Sequence, residues 1–590
     1  MKTYCEKVKD FLYGKESGRW ILSALLIVVL YGVLFQFSVI RYSTNDDNTI
    51  VNSIIYAAEQ PETAPVGFMY INYFLGVFLA FFYRNFGNVP WYDLYSVGVL
   101  LLSGVIIFKN ILKEGYKSHK SFWGLIFLIF ILFFALLAAI FQQVQFTTTA
   151  AAAGTAALVS FLCLDEKGKS RIADLLIAWI FFHACMFQRQ MVGYVILAFF
   201  ILLLVVDVVR CLCRYKNLCQ VKFKILFSIL LFASIWLTGA SSEQLNSGYN
   251  ESEEFEEYSD LRVRYMDYNV DAYLTYPEIY EEAGWDENLC VMVKNWYFMD
   301  KRYNVDTLRE ILEVVDRPEN REEDVVSWSD AGKIWKYLLE SERRAQLELC
   351  FALVLFALGM IQFLRNREEA NIWRALVIAG SWAGSALMYL YLCFSGRLPL
   401  RVFEAIMLPV AVLTIISIIQ MTEKPSVQRK RCGMKGVKIG TMVIFLAITA
   451  GIAGELFDRE AQERYQEERN RLISMKEFCA ENDENVYIYD NTLTGGEPIF
   501  YRSKNNTVYN CFFWGGTSMF SQSYYANLEK NGLQELHSED WFRDNVYYLT
   551  QNQEMIYVLY NYLDGIFENV SFELQETIGN ILVAKFTNEG

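Results

Sequence analysis

Uninterrupted apolar runs constrain this chain more than any other feature. The first, residues 20–40, holds 21 residues without a charged side chain. At about 1.5 Å of rise per residue, a helix of this length matches the roughly 30 Å hydrocarbon core of a bilayer. Similar runs recur as far as residue 457 and account for a composition that is 54% hydrophobic. The sequence therefore predicts an α-helical polytopic membrane protein.

Eleven runs have the length of a membrane-spanning helix. They are residues 20–40, 91–112, 121–141, 147–164, 172–187, 192–209, 225–240, 347–364, 375–394, 402–419 and 439–457. A shorter apolar run, residues 67–83, falls inside a first external loop of residues 41–90. We expect it to form a helix in the membrane interface. The alternative is an ordinary twelfth span.

The positions of basic residues distinguish an interfacial helix from a twelfth span, because short loops rich in Lys and Arg stay on the cytoplasmic side. Such segments are the N-terminus and residues 113–120, 165–171, 210–224, 365–374 and 424–438. Eleven spans place all of them in the cytoplasm, with the N-terminus inside and the C-terminal region outside. A twelfth span at residues 67–83 would turn every later basic segment outward.

Two large segments then lie outside the membrane. The acidic loop, residues 241–346, contains 26 acidic and 12 basic residues, and this difference equals the net charge of −14 of the whole chain. Its aromatic content predicts a folded helical subdomain. The C-terminal domain, residues 458–590, opens with a charged helical pattern and continues with strand-like runs at residues 486–489, 546–549, 570–574 and 581–586, and a helical run at 555–567.

Four regions follow from this division. They are an N-terminal transmembrane region (1–240), the acidic loop subdomain (241–346), a second transmembrane region (347–457) and a small extracytoplasmic C-terminal α/β domain (458–590).

An acid pair follows the first span by six or seven residues. Asp46 and Asp47 are therefore held close to the outer membrane surface. Such carboxylates can take a proton from an acceptor hydroxyl, or bind a divalent cation such as Mg or Mn that neutralises a phosphate. The plain alternative is a polar loop that happens to contain two acids.

Basic side chains occur in two outer turns, against the positive-inside bias. Arg189 lies between two spans, where an ionisable side chain is costly without a partner, or else reaches lipid headgroups. Arg397 and Arg401 lie in another turn, with Glu404 just inside the next span. Two guanidiniums four residues apart suit the oxygens of a phosphate or pyrophosphate.

A third outer turn contributes amides and hydroxyls. Gln142, Gln145 and Thr147 can bind sugar hydroxyls, together with Glu404, or can simply cap helix ends. Three His and twelve scattered Cys show no zinc-binding spacing and no disulfide framework.

This arrangement resembles the GT-C fold class of polyprenyl-phosphate-sugar glycosyltransferases, and within it the Gtr-type bacterial glucosyltransferases. The resemblance rests on Asp46 and Asp47 after span one, the run at residues 67–83, the span start at Pro90-Trp-Tyr92 and the C-terminal outward domain. It covers the first 112 residues well and the remainder by layout only. The Asn45-Asp-Asp47 spelling departs from the common D-x-D or acid pair, so which carboxylate is the base stays open.

The resemblance implies transfer of a sugar from a polyprenyl-phosphate donor on the outer face of a bacterial plasma membrane, in envelope or surface polysaccharide biosynthesis. A first-loop Asp, here Asp46 or Asp47, would be the base or a metal ligand. Arg189, Arg397 and Arg401 would hold the donor phosphate. Expected partners are the lipid-linked sugar donor, a glycan or lipid acceptor and membrane lipids, and not nucleic acid.

Three other functions stay open at this stage. A transporter or flippase of lipid-linked glycan would be expected to show internal repeats, which the sequence lacks. A polysaccharide polymerase would favour a basic outer loop, whereas this one is acidic. A non-catalytic envelope scaffold would use the aromatic loop and the C-terminal domain to bind partners. The sugar, the lipid, the acceptor, the role of the acidic loop and the oligomeric state are not specified by the sequence.

Overall fold

The computed structural model describes residues 2–59, 68–165, 168, 170–216, 218, 221–247, 253–315, 332–333, 335–336, 343–395, 398–421, 431–494, 499–500 and 510–588. The first helices along the chain are α1 (Lys2–Lys9), α2 (Glu16–Phe37), α3 (Asp46–Glu59), α4 (Tyr73–Asn85), α5 (Trp91–Lys117), α6 (Phe122–Gln142), α7 (Phe146–Leu162), α8 (Arg171–Gln188), α9 (Gln190–Tyr215) and α10 (Lys222–Ser247). The acidic loop contains α11 (Glu253–Arg264), α12 (Pro277–Glu282), α13 (Glu287–Lys294) and α14 (Val305–Val315). The chain continues with α15 (Arg343–Arg365), α16 (Glu369–Phe394), α17 (Leu400–Gln420), α18 (Arg431–Leu456), α19 (Arg459–Glu481), α20 (Gln522–Lys530) and α21 (Gln553–Asp564).

Membrane-spanning helices form the larger part of the fold. Among the described residues, ten helices are long and apolar enough to cross a bilayer, and α7 is a shorter apolar helix of 17 residues. The ten are α2, α5, α6, α8, α9, α10, α15, α16, α17 and the helix that continues from Gly440. Together with α7 they match the eleven predicted runs one for one, so the prediction of a polytopic helical membrane protein is confirmed.

The first loop differs from its prediction in two ways. Its residues 46–59 form α3, a helix that the sequence analysis did not anticipate. The helix expected at residues 67–83 begins only at Tyr73, because the Asn72 side chain accepts a hydrogen bond from the Phe74 amide and caps that end. Residue 67 lies outside the described part of the chain.

A five-stranded sheet forms the centre of the C-terminal domain. Its strands are β3 (Val486–Tyr489), β4 (Cys511–Phe513), β5 (Val546–Thr550), β6 (Val570–Ile578) and β7 (Ile581–Asn588), in the order β4-β3-β5-β7-β6. Two earlier, two-residue strands, β1 (Arg41–Tyr42) and β2 (Gln143–Val144), pair elsewhere. β3 runs parallel to both β4 and β5, whereas β7 is antiparallel to β5 and β6. The carboxyl ends of β3 and β4 therefore open at the same edge.

The acidic loop and the C-terminal domain share one hydrophobic core. Trp285, Tyr297 and Leu308 from the loop are buried with Trp514 and Tyr548 from the domain. The Phe298 amide donates to the Trp514 carbonyl at 3.0 Å, and the Trp514 indole donates to the Asn295 carbonyl at 3.1 Å. Two segments far apart in sequence are thus one folded unit above the helices.

A buried ion cluster lies at the opposite end of the helices. Asp174, at the start of α8, accepts hydrogen bonds from the Lys109 and Lys113 ammonium groups, each at 2.7 Å. Asp207 similarly pairs with Lys224 at 2.6 Å. These residues occur in or beside the basic segments that the sequence assigns to the cytoplasm.

Replacing Asp174 by Asn is expected to lower the free energy of unfolding by about 1.5 kcal/mol. The reason is that Lys109 and Lys113 then lose the carboxylate with which both of them pair. The effect is smaller than for a buried pair in a soluble domain, since polar groups in the unfolded, membrane-inserted state also find partners. Thermal unfolding in detergent measures it. Glu463→Gln breaks the exposed Arg459–Glu463 pair and should lower stability much less. Equal effects of the two variants would contradict the prediction.

Candidate functional site

A short parallel pairing of β1 with β2 brings the acid pair close to the turn between α6 and α7. Tyr42 of β1 pairs with Val144 of β2, and the Ser43 amide donates to the Val144 carbonyl at 3.0 Å. The loop after α2 therefore lies beside the turn between α6 and α7. This contact places the start of α3, with Asp46 and Asp47, against the amino end of α7.

Asp47 is fully buried in this contact. Its Oδ1 accepts a hydrogen bond from the Tyr92 hydroxyl at 2.7 Å and from the Phe146 amide at 3.1 Å, while Oδ2 has no hydrogen-bond partner. Burial raises the pKa of the Asp47 carboxyl well above its ordinary value, and the hydrogen bond from Tyr92 opposes this rise. Asp47 therefore ties α3 to α5 and α7.

Asp46 points the other way, into a cavity. Its side chain is 26% exposed, and its Oδ2 lies 3.9 Å from the Arg401 Nη2. The Thr44 hydroxyl donates to the same oxygen at 3.3 Å. The two neighbouring carboxylates thus have different environments, and only Asp46 lines the cavity.

Two of the predicted basic residues converge on Asp46. Arg401 starts α17, and Arg189 links α8 to α9 with its guanidinium over the rings of Phe146, at 5.0 Å, and Tyr70, at 5.8 Å. Arg189 is within electrostatic range of both Arg401 and Asp46, and burial lowers the pKa of its guanidinium. Phosphate-type anions suit such a pair of guanidiniums.

The cavity has a volume of about 390 Å³ and lies between the membrane helices and the C-terminal domain. One wall is the polar face of α3, with Asp46, Asn48 and Asn52. Facing it are the carboxyl ends of β3 and β4, followed by Asn491 and by the loop at Gly516. Ligands of α/β sheets commonly bind at the carboxyl ends of parallel strands. Amides, hydroxyls and aromatic rings in such walls suit a carbohydrate.

Residues with a left-handed backbone lie in the wall of this cavity and beside it. Tyr70 and Trp296 have left-handed backbones, with φ of 61° and 67°, and Gly516 has a φ of 92°. A left-handed conformation costs a non-glycine residue about 1–3 kcal/mol, and such positions concentrate at functional sites. At Gly515 a side chain is excluded, since a Cβ atom there would lie 1.7 Å from the Trp296 carbonyl oxygen.

The other predicted site residues are placed differently. Gln142 donates to the Leu456 carbonyl at 3.0 Å, and the Gln145 side chain caps α7 by accepting from the Thr147 and Thr148 amides. None of Gln142, Gln145 and Thr147 lines the cavity. Glu404 accepts from Arg344 at 2.7 Å. Arg397 lies outside the described residues.

Several residues that support the site were not predicted as site residues from the sequence. Asp93 accepts hydrogen bonds from the Tyr42 hydroxyl and, at 2.7 Å, from the Phe500 amide, so it links α5 to β1 and to the C-terminal domain. A carboxylate within a predicted span was the available signal for Asp93. Tyr92 entered the prediction only as part of the span start at Pro90-Trp-Tyr92, and Tyr70 only as part of the run at residues 67–83, because aromatic residues are common at membrane interfaces.

The fit of a divalent cation can be judged from the donor set. Within the described part of the chain, no group of three or more His, Cys, Asp and Glu side chains is arranged to hold a metal ion. A guanidinium faces Asp46, and Oδ1 of Asp47 already accepts two hydrogen bonds. A Mg or Mn site at the acid pair is not supported by this donor set, and the chemistry below uses the carboxylate alone.

Comparison with known proteins gives similarity in solved structures only. No protein-family model matches the chain, and no curated protein matches it. ArnT from Cupriavidus metallidurans bound to undecaprenyl phosphate is similar with a TM-score of 0.37 and 11% identity, over 96% of this chain and 97% of that one. ArnT in the apo state gives a TM-score of 0.36 and 12% identity, over 97% and 98%.

Proposed function

We propose that this chain is a membrane glycosyltransferase that moves a sugar from a polyprenyl-phosphate donor to an acceptor hydroxyl. The observation that carries the proposal is the position of Asp46. Its partly exposed carboxylate lines a polar cavity of about 390 Å³, beside Arg401 and within range of Arg189. A base, an anion-binding pair of guanidiniums and a polar cavity are the parts that this reaction needs.

The reaction step uses each of these groups. Asp46 takes the proton of the acceptor hydroxyl as its oxygen forms a bond to C1 of the donor sugar. The bond from C1 to the phosphate oxygen breaks, and its electron pair stays on the phosphate. Arg401 and Arg189 stabilise this charge as it develops. Attack opposite the leaving phosphate inverts the configuration at C1. Asp47 does not touch the reacting atoms and holds α3 in place through Tyr92.

The orientation is part of the proposal. The site lies at the amino ends of α5, α7 and α17, and in the sequence a basic segment follows the carboxyl end of each of these helices. By the positive-inside rule the cavity, the acidic loop and the C-terminal domain face away from the cytoplasm. The acceptor would then be a glycan or lipid of the outer surface.

Reconstitution in vesicles tests the proposal against the transporter alternative. The probe is polyprenyl phosphate carrying ¹⁴C-glucose, supplied with a crude surface glycan as acceptor. Glycosyl transfer predicts label in the glycan together with release of polyprenyl phosphate, in amounts that depend on the protein. Movement of intact donor across the bilayer, without cleavage, would overturn the enzyme and support a flippase.

Cysteine accessibility tests the orientation with the same full-length chain. Because the chain has twelve native cysteines and Cys511 lines the same cavity, the test uses a full-length background in which they are replaced by Ser. A single Cys introduced there at Asn527, in the cavity wall, should react from the outside of intact cells with a membrane-impermeant maleimide. One introduced at Lys117, in a predicted cytoplasmic segment, should react only after lysis. The reverse pattern would contradict the outward site.

A further inference from the structure

A buried arginine in the acidic loop stands apart from its neighbours. Arg262, on α11, is only 3% exposed, its Nε has no hydrogen-bond partner, and among the described residues no carboxylate pairs with it. Nearby arginines do have acidic partners. Arg309 pairs with Glu257 at 2.7 Å, and Arg264 lies 3.9 Å from Asp260. In the most acidic segment of the chain, this cation is buried without an anion.

Arg262 lies close to the site described above. The Tyr70 hydroxyl is within electrostatic range of Arg262, Arg189 and Asp46 together, and it is close to the Thr517 hydroxyl at the cavity wall. Asp267, five residues after Arg262, lines the cavity. Tyr70 thus lies near the buried guanidinium of the loop and has the Arg189 guanidinium 5.8 Å from its ring.

Charge balance indicates what would occupy this position. Burying a guanidinium without a partner costs free energy. A protein can retain such a residue where a bound ligand supplies the missing anion. Arg189, Arg262 and Arg401 give three positive charges in this region, against the two carboxylates that line the cavity, Asp46 and Asp267. One of the three positive charges is therefore left without a carboxylate at this cavity. A phosphate group, with up to two negative charges and several acceptor oxygens, fits it.

We propose that Arg262 completes a phosphate-binding site with Arg189, Arg401 and Tyr70. The acidic loop then has a direct part in ligand binding, since it contributes the buried cation. This inference rests on the proposed function for the source of the phosphate, which would be the headgroup of the lipid donor. Because free phosphate has the same chemistry, the experiment uses both as probes.

Ligand-dependent stabilisation of the full-length protein in detergent tests the site. The probes are undecaprenyl phosphate, uncharged undecaprenol and inorganic phosphate. Wild-type protein should be stabilised by undecaprenyl phosphate and not by undecaprenol. Stabilisation by inorganic phosphate at comparable concentrations would support the anion-binding site, but would identify free phosphate as its ligand instead of the lipid headgroup. Lack of stabilisation by either phosphate would overturn the site.

Arg262→Met is the decisive variant. It should weaken binding of undecaprenyl phosphate by about tenfold or more, the loss expected for one charge-assisted hydrogen bond. The same variant should unfold at an equal or higher temperature without ligand, because it removes a buried unpaired charge. Arg264→Met, two residues along the same helix and 43% exposed, should leave both quantities unchanged.

Two results would count against the proposal. Unchanged binding in Arg262→Met would overturn it, and so would a large drop in its unfolding temperature without ligand, which would mark a structural role. Failure of the proposed function can be told apart from failure of this phosphate site, because the binding assay does not require sugar transfer. A protein that binds the lipid phosphate through Arg262 but never transfers sugar would retain the site and lose the enzyme.

Discussion

Replacing Asp46 by Asn is expected to slow sugar transfer by about 10²–10⁴-fold, the usual contribution of a positioned general base. The amide keeps the shape of the side chain but cannot take the acceptor proton. Binding of polyprenyl phosphate should persist or tighten, because the Asp46 carboxylate, 3.9 Å from Arg401, repels a phosphate at that position. Transfer of labelled sugar and equilibrium binding, measured on the same preparation, separate the two effects.

Asp47 gives the sharpest comparison. Asp47→Asn should slow transfer by less than about tenfold, since an amide oxygen still accepts from Tyr92 and Phe146 and the amide resembles the protonated acid favoured by burial. Asp47→Ala should slow it more, because it removes both hydrogen bonds. Glu59→Gln, at the exposed far end of the same helix, should have no effect. If Asp47→Asn were inactive and Asp46→Asn active, the assignment of the base would be reversed.

Hydrophobic length made the membrane part of this fold predictable. Each of the eleven apolar runs became a helix, because an unbroken run of that length has few alternatives to a spanning helix. The predicted strand at residues 486–489 also matches β3, since its alternation and flanking turns are local signals. Features that depend on neighbours in sequence were therefore the predictable ones.

Long-range pairing explains what could not be predicted. The loop and the C-terminal domain share a core through contacts such as Phe298 with Trp514, more than 200 residues apart, which no local pattern shows. The same holds for the acid pair. Only the bridge between β1 and β2 decides that Asp47 is buried against Phe146 while Asp46 faces the cavity. Gln145 is positioned as a helix cap, which is the alternative that its sequence context offered to a sugar ligand, and this contact is local.

A buried carboxylate holds the loop and the C-terminal domain together. Asp300, 6% exposed, pairs with the Arg302 guanidinium at 2.7 Å, accepts from the Arg302 amide at 2.7 Å and accepts from the Tyr562 hydroxyl of α21. Burial alone would raise the pKa of Asp300, but the hydrogen bonds from Arg302 and Tyr562 outweigh it, and the net pKa is lowered. The ionised form is therefore the one that the folded protein stabilises.

Asp300→Asn is expected to destabilise this joint unit by about 2 kcal/mol, because it removes the charge of a buried carboxylate that accepts several hydrogen bonds, while Arg302, 31% exposed, keeps its partner Asp286. The direction in which stability changes with pH follows from the lowered pKa of Asp300. This stabilisation is complete above the unfolded-state pKa of about 4 and is lost as the pH falls through the lower folded-state value. Wild-type stability should therefore fall more steeply than that of the variant below about pH 4.

Denaturant unfolding of the full chain in nanodiscs, followed by tryptophan fluorescence, measures both effects, since Trp285, Trp514 and Trp541 are buried in the shared core. Asp271→Asn is the matched control. It breaks a Lys294–Asp271 pair of similar length, 2.6 Å, in the same loop, but Asp271 is 59% exposed, so the loss of stability should be much smaller. If the two variants lost the same stability, then burial of Asp300 would not be what joins the loop to the domain.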